Sequence, residues 1–149
     1  MNDIKTKKNE ESQLEHWILE NPENFESGIK WIGNQKISYW HSEKIGIIDL
    51  KGVDENDKIL IVELKAKELN HKDISQALCY YISCSTHEGA EVRLCLVGPG
   101  ISTRFRIVFE WINKFSEFQI ECKIYEKTIN GYSFIDYNPD TYGRLSMLK

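Results

Sequence analysis

The sequence predicts an α/β domain in which a central mixed sheet is flanked by helices on both faces. Three observations support this fold class. The 149-residue chain is 41% hydrophobic and 28% charged, which is typical of one globular domain with a buried core. Apolar segments of strand length alternate along the chain with amphipathic segments of helix length. One strand, residues 91–97, is almost uniformly apolar, as expected when both faces of a strand are covered.

The N-terminal part predicts a helix that begins after a short tail. Residues 1–9 are polar and lysine-rich, so we expect them to be flexible. Residues 10–20 place their apolar side chains on one helical face, and Asn21-Pro22 ends that helix. A second short element covers residues 25–32 and is interrupted by Gly28.

The middle of the chain predicts strands. Residues 36–40 form a strand, and residues 41–44 a polar loop. A β-hairpin follows, in which an apolar strand at 47–53 and a return strand at 58–65 are joined by a polar turn at 54–57.

The C-terminal half alternates helices and strands. Residues 73–83 and 103–115 have helical apolar periodicity, whereas residues 119–125 have the character of a strand. A short additional strand is predicted at 132–135. The predicted organisation is a tail at 1–9, one domain at 10–135 and a C-terminal extension at 136–149.

Composition excludes several functional classes. The formal net charge of −4 argues against nonspecific coating of nucleic acid, although it leaves room for a local basic groove. The chain contains no apolar run of membrane-spanning length and no signal-peptide core, so we expect a cytoplasmic protein with no membrane partner. The cysteines lack zinc or redox spacing and are expected to be buried, reduced thiols: Cys79, Cys84, Cys95 and Cys122.

The predicted hairpin carries the most informative residues. Because strand side chains alternate between faces, Glu63 and Lys65 point the same way, and Asp49 on the facing strand can lie near Glu63. Like charges in a half-buried sheet are costly unless a cation neutralises them. Oxygen-only carboxylate sites suit Mg²⁺ or Mn²⁺. These residues therefore predict a metal site at which the lysine orients a water molecule or stabilises developing negative charge.

Two helices offer further site residues. Gln76 and Tyr80 are four residues apart and share a helical face, as do Glu11 and Glu15, either of which could supply a third carboxylate. Each feature also has a simpler interpretation. A solvated strand produces Glu-x-Lys without any function, and acids or amides on a helix surface are common.

The combination of Asp49, Glu63-Leu64-Lys65 and Gln76-x-x-x-Tyr80 resembles the pattern of the PD-(D/E)xK nuclease superfamily. The chain is most similar to the catalytic domain of NucS/EndoMS-type DNA endonucleases, and Shedu-type immune nucleases are second. The similarity covers about residues 11–125. Its other motifs are Glu11-Ser12-Gln13-Leu14, Asn21-Pro22, Gly28-Ile29 and Ile48-Asp49-Leu50.

This resemblance implies a restriction-endonuclease-like fold and Mg²⁺- or Mn²⁺-dependent hydrolysis of DNA phosphodiester bonds. The implied catalytic residues are Asp49, Glu63, Lys65, Gln76 and Glu11. The implied metal ligands are Asp49, Glu63, the Leu64 carbonyl and Glu11, with Glu15 as the alternative to Glu11.

Three departures limit what the resemblance implies. Ile48 stands where the superfamily name has proline, which leaves the acid in place. Ala66 stands where a basic residue often follows the lysine, so the DNA contact of that basic residue is not implied here. The N-terminal dimerisation domain of NucS-type enzymes has no counterpart in these 149 residues, so mismatch specificity is not implied.

Contacts with nucleic acid are harder to predict. The candidates are Tyr80, Lys36, His41, Lys44 and Arg104. Tyr80 fits the core equally well, and Arg104, with Arg106 and Lys114, more simply belongs to a solvated helix face. The four tryptophans are expected mostly in the core, with Trp40 the best candidate for stacking on a base.

Two other functions and one assembly remain open. A noncatalytic nucleic-acid- or protein-binding module on the same fold is the first, although the complete acid-acid-lysine set argues against it. An RNA-directed nuclease is the second. We also expect a homodimer, because the apolar residues of the C-terminal extension need cover. These residues are Tyr137, Tyr142, Leu145 and Met147.

Overall fold

A computed structural model describes the backbone of residues 2–139 and the side chains of residues 8–139. The chain forms one six-stranded sheet in the order β1-β2-β3-β4-β5-β6. The strands are β1 (Lys30–Trp40), β2 (Glu43–Val53), β3 (Ile59–Leu64), β4 (Val92–Gly98), β5 (Ile120–Thr128) and β6 (Gly131–Asp136). The helices are α1 (Asn2–Glu20), α2 (Pro22–Phe25), α3 (His71–Glu88) and α4 (Thr103–Phe115).

The sheet is mixed, as predicted. Strands β1, β2 and β3 are antiparallel neighbours, β3, β4 and β5 run parallel, and β6 returns antiparallel to β5. The parallel pairs follow from the two long helices, because a strand can run parallel to its predecessor only after a crossover connection. Both α3 and α4 provide such a crossover.

Helices cover both faces of the sheet, which confirms the predicted architecture. On one face, α1 and α2 bury Leu14, Ile18 and Phe25 against apolar side chains of the strands. On the opposite face, α3 and α4 pack a second cluster that includes Ile74 and Phe105. In the described part of the chain, no helix is long and apolar enough to cross a membrane.

The two crossover helices begin at defined caps. The Asn70 side chain accepts from the Lys72 amide, and the Asp73 side chain accepts from the Asn70 amide, which forms a capping box at the start of α3. Ser102 caps α4 through the Phe105 amide. The cap of α3 fixes the helix that carries Gln76 and Tyr80.

Several boundaries differ from the sequence-based prediction. The helical backbone of α1 begins at Asn2, so residues 2–9 extend the helix where a flexible tail was expected. The predicted polar loop at 41–44 is a two-residue turn, because Trp40 pairs with Glu43 in the β1–β2 ladder. His41 and Ser42 have φ values of 47° and 71°, the left-handed pair that such a tight hairpin turn requires.

Other expectations about burial were wrong. Cys79 is exposed on α3, while the other three cysteines are buried free thiols. Trp111 is 60% exposed rather than part of the core. Tyr137, assigned to the extension that needs cover, already packs in the core edge-to-face on Phe109, with ring centroids 5.2 Å apart. Tyr142, Leu145 and Met147 lie outside the described residues.

Candidate active site

The candidate site lies where strands β2 and β3 separate. Their pairing stops at Leu50↔Val62, and side chains replace the ladder beyond that point. The Leu64 amide donates to Asp49 Oδ2 at 2.8 Å, and the Asp49 amide donates to Glu63 Oε1 at 3.3 Å. Each strand therefore supplies a carboxylate to the backbone of the other. The structure brings the two predicted acids together at one point.

Burial and mutual repulsion hold a proton on this pair at neutral pH. Glu63 is only 3% exposed. Its burial, followed by the charge of nearby Asp49, raises the pKa of Glu63 to about 9. Burial also raises the pKa of Asp49 to about 6, although the hydrogen bond from the Leu64 amide acts in the opposite direction. The positive charge of Lys65 lowers both pKa values without offsetting these effects.

Lys65 lies directly after β3 and reaches toward α3. Its Nζ donates to Gln76 Oε1 at 3.3 Å and lies 4.0 Å from Asp73 Oδ1. Gln76 Nε2 in turn donates to the Tyr80 hydroxyl at 3.1 Å. Tyr80 is almost fully buried, and burial raises the pKa of its hydroxyl. The predicted pair Gln76 and Tyr80 thus forms a chain of contacts that fixes the lysine.

Helix α1 contributes both of its candidate acids, by different contacts. Glu15 is 9% exposed, and Gln35 Nε2 donates to its Oε1 at 2.8 Å and to Asp49 Oδ1 at 3.2 Å. Glu11 Oε1 instead accepts from the Ala66 amide at 3.1 Å. The structure therefore links Glu15 to Asp49 and links Glu11 to the segment after β3.

A cavity of about 310 Å³ lies between α1 and Asp49 of the sheet. It is lined by Lys8, Glu11, Ser12, Glu15, Gln35, Asp49 and Leu64. Lys8, Ser12 and Gln35 were not predicted as site residues. The sequence gives no signal for Gln35, because a glutamine in the polar stretch 33–36 is ordinary surface composition.

The predicted nucleic-acid contacts are distributed unevenly around the site. Lys36, His41 and Lys44 are exposed on the β1–β2 hairpin, which continues past the point where β3 ends its pairing. Tyr80 belongs to the site through Gln76. Arg104 is exposed in the first turn of α4, and none of the site side chains comes from that helix.

The carboxylates of the site have the chemistry to bind a divalent cation, but they are not arranged around an ion position in this structure. Among the described side chains, those of residues 8–139, no group of three or more His, Cys, Asp and Glu is arranged to hold an ion as it stands. Asp49 and Glu63 each accept a hydrogen bond from a backbone amide instead. Both are carboxylates with raised pKa values, and both face the same gap between strands. A hard divalent cation would relieve their repulsion, and oxygen donors are the ligands that Mg²⁺ prefers.

The fold and this site together define a restriction-endonuclease-like α/β protein. The sequence matches the family profile described as the endonuclease NucS C-terminal domain over residues 10–128. The chain belongs to that family.

Relatives and solved structures agree with this assignment. The chain is 33% identical to the endonuclease NucS of Pyrococcus abyssi over 92 residues, which cover 62% of this chain and 35% of that protein. It is 28% identical to the endonuclease NucS of Thermococcus kodakarensis over 100 residues, covering 67% of this chain and 38% of that protein. The chain thus spans about a third of the length of the curated relatives that it matches.

Solved structures share the fold. A repair endonuclease from Pyrococcus abyssi matches with a TM-score of 0.60 and 31% identity, covering 74% of this chain and 46% of that one. A structure of EndoMS in complex with double-stranded DNA matches with a TM-score of 0.58 and 27% identity, covering 67% of this chain and 40% of that one.

The raised pKa of Glu63 leads to a prediction about stability in EDTA. The folded protein keeps a proton on Glu63 from its usual pKa of 4.5 up to about 9, whereas the unfolded chain loses it. The contribution of protonated Glu63 to the stability of the fold is therefore complete below pH 4.5. It falls progressively as the pH rises from 4.5 and is lost above about 9. Glu63→Gln keeps the neutral form at every pH. We expect the melting temperature of this variant to rise relative to the wild type by on the order of 10 °C between pH 5 and pH 9.

Differential scanning fluorimetry over that pH range measures the effect, and Glu126→Gln, on an exposed part of β5, is the matched control. A melting-temperature difference between Glu63→Gln and the wild type that does not change with pH would show that Glu63 is already ionised in the folded protein.

Proposed function

We propose that this domain hydrolyses phosphodiester bonds of DNA with the help of Mg²⁺ or Mn²⁺. The observation that carries the proposal is the gap between β2 and β3, where Asp49 and Glu63 exchange hydrogen bonds with the opposite strand and Lys65 stands beside them. Two crowded acids that are costly without a cation, next to a fixed ammonium group, are the parts that such a reaction uses. In this proposal, Asp49, Glu63 and Lys65 are the catalytic residues of a PD-(D/E)xK domain.

The residues have separate roles in this proposal. Asp49 and Glu63 would hold the cation, with the Leu64 carbonyl and a glutamate of α1 as further oxygen donors. A bound divalent cation lowers the pKa of a coordinated water and offsets phosphate charge. Lys65 orients the attacking water or stabilises the negative charge that develops on the phosphate. Gln76 holds the Lys65 ammonium, and Tyr80 holds Gln76.

DNA is the proposed substrate because of the family and the surface near the site. The similar solved structure of EndoMS is a complex with double-stranded DNA. Here the β1–β2 hairpin that carries Asp49 also carries Lys36, His41 and Lys44 on exposed positions. Trp40 is 37% exposed at the tip of the same hairpin and is the proposed stacking residue. Arg104 remains a weaker candidate, because it lies on a helix that does not contribute to the site.

A panel of labelled substrates tests this function. The protein is incubated with single-stranded DNA, duplex DNA, branched DNA and the corresponding RNAs, each with Mg²⁺, Mn²⁺ or EDTA. We expect DNA to be cut with either cation and not in EDTA. Binding of DNA without any cutting would support the noncatalytic module instead, and cutting restricted to RNA would support the RNA-directed nuclease.

We also propose that the domain forms a homodimer, through a surface other than the C-terminal extension. Ile107, Trp111 and Phe115 are 62%, 60% and 65% exposed and follow one another at four-residue spacing along α4. When two α4 helices pack antiparallel about a two-fold axis at Trp111, Ile107 of one copy faces Phe115 of the other. Arg104 then lies near the oppositely charged Glu117 of the second copy.

Trp111→Glu is therefore expected to convert a dimer to a monomer that nicks one strand without making concerted double-strand breaks. Light scattering at several protein concentrations measures the assembly, and Ile129→Glu, fully exposed in the β5–β6 turn, is the control. A wild-type protein that stays monomeric at high micromolar concentration, with or without DNA, would reject the dimer. A chain truncated after Ile135 would not test the dimer, because the truncation also removes the buried Tyr137.

A further inference from the structure

Gln35 has an unusual backbone conformation for its place in the fold. Its φ is 51°, in the left-handed region that disfavours residues with a Cβ atom. The other such non-glycine residues of the described chain are His41 and Ser42, in the β1–β2 turn, and Asp57, in the β2–β3 turn. Gln35 instead lies within β1, between two residues that pair regularly with β2. No turn requires this conformation.

The conformation is explained by what the side chain reaches. Gln35 Nε2 lies 2.8 Å from Glu15 Oε1 and 3.2 Å from Asp49 Oδ1. Both partners are acids, so the two hydrogens of one amide group serve two carboxylates. These acids come from different elements, Glu15 from α1 and Asp49 from β2. A side chain from β1 therefore connects the helix to the sheet across the cavity.

The contacts also distinguish the two acids of α1. Glu11 accepts a hydrogen bond from the Ala66 amide, and this backbone contact holds α1 against the segment after β3. Glu15 is more buried, and its contact is the Gln35 amide that also holds Asp49. One shared side chain therefore holds Glu15 beside the proposed ligand Asp49, whereas Glu11 is held at the backbone of Ala66.

We propose that Gln35 is a positioning residue that holds Glu15 beside Asp49, so that Glu15 rather than Glu11 is the third acid of the metal site. The proposal rests on the metal-dependent function described above. This role explains why the strained backbone of Gln35 is retained within a strand, because that conformation places its side-chain amide between Glu15 and Asp49. Residues that orient metal ligands change metal affinity by about 10- to 100-fold when they are replaced.

Gln35→Asn is the informative variant. Asparagine is favoured over glutamine in the left-handed region, so the backbone is not made worse. Its side chain is one methylene shorter and does not span both carboxylates. We expect the Mn²⁺ dissociation constant, measured by calorimetry, to rise about 10-fold. The melting temperature in EDTA should stay unchanged or increase. Gln13→Asn, on the exposed side of α1, is the matched control and should change neither value.

A double-variant cycle shows whether Gln35 acts through Glu15. Glu15→Gln should weaken Mn²⁺ binding, and adding Gln35→Asn to it should weaken binding no further. Glu11→Gln should leave the effect of Gln35→Asn intact. Additive effects of Gln35→Asn and Glu15→Gln on Mn²⁺ affinity would overturn the proposal that Gln35 acts through Glu15. A lower melting temperature with unchanged Mn²⁺ affinity would overturn it too and leave Gln35 a structural residue.

The metal measurement separates this proposal from the proposed function. A wild-type protein that binds Mn²⁺ but cuts no DNA rejects the nuclease while the cycle still decides the role of Gln35. A wild-type protein that cuts DNA, with Mn²⁺ affinity unchanged in Gln35→Asn, rejects the positioning role alone. A wild-type protein that binds no divalent cation rejects both.

Discussion

Cleavage of DNA should fall by about 1,000-fold or more when Asp49 is replaced by Asn or Glu63 by Gln. Each change removes one negative charge from the place where the cation would bind, so affinity for the metal and the chemical step are lost together. Both variants keep an oxygen that can accept from the backbone amide of the opposite strand. Initial rates on a labelled DNA that the wild type cuts, at several Mg²⁺ concentrations, measure the loss.

The isosteric variants are preferable to alanine for a structural reason. Relief of carboxylate repulsion alone would make Asp49→Ala and Glu63→Ala slightly more stable without metal. Each alanine, however, also leaves a backbone amide between β2 and β3 without its acceptor, and an unsatisfied buried amide costs about 1–3 kcal/mol. Asp57→Asn, in the exposed β2–β3 turn, is the control for a simple change of charge. Full activity of either isosteric variant with Mg²⁺ would remove that acid from the active site.

Lys65→Ala is expected to slow cleavage by about 100-fold, the usual effect of removing one positioned charge from a transition state. Binding of DNA should be retained, because a single ammonium contributes little to the affinity of a whole surface. The Lys65 ammonium is held by Gln76, so we expect its role to be chemical rather than structural. Single-turnover rates and binding constants, measured on the same DNA, separate the two contributions.

Lys67→Ala is the matched control, since Lys67 is exposed two residues further along the same segment. It should leave the single-turnover rate unchanged. If Lys65→Ala abolishes binding while turnover per bound complex is unchanged, Lys65 is a phosphate anchor and the proposed role in the chemical step is wrong.

Local pattern was sufficient for most elements of the fold. The apolar segments of residues 91–97 and 119–125 became β4 and β5 within three residues at each end, and α4 has the predicted bounds. The boundaries failed where tertiary contacts decide them. Strands β1 and β2 extend to the turn at His41 and Ser42 because they pair with each other, although residues 41–44 are polar. Composition alone cannot show that pairing.

The sequence by itself determined the mixed α/β sheet and the residues that form the acid-acid-lysine pattern. Alternation along β3 and the hairpin connection are local properties, and they are sufficient to place Asp49 near Glu63. Only the tertiary structure decided that β2 and β3 separate at this point, so that the two carboxylates bond to the opposite strands. Only the tertiary structure brought Gln35 between Glu15 and Asp49, because that contact joins three elements distant in sequence and depends on a left-handed residue within a strand.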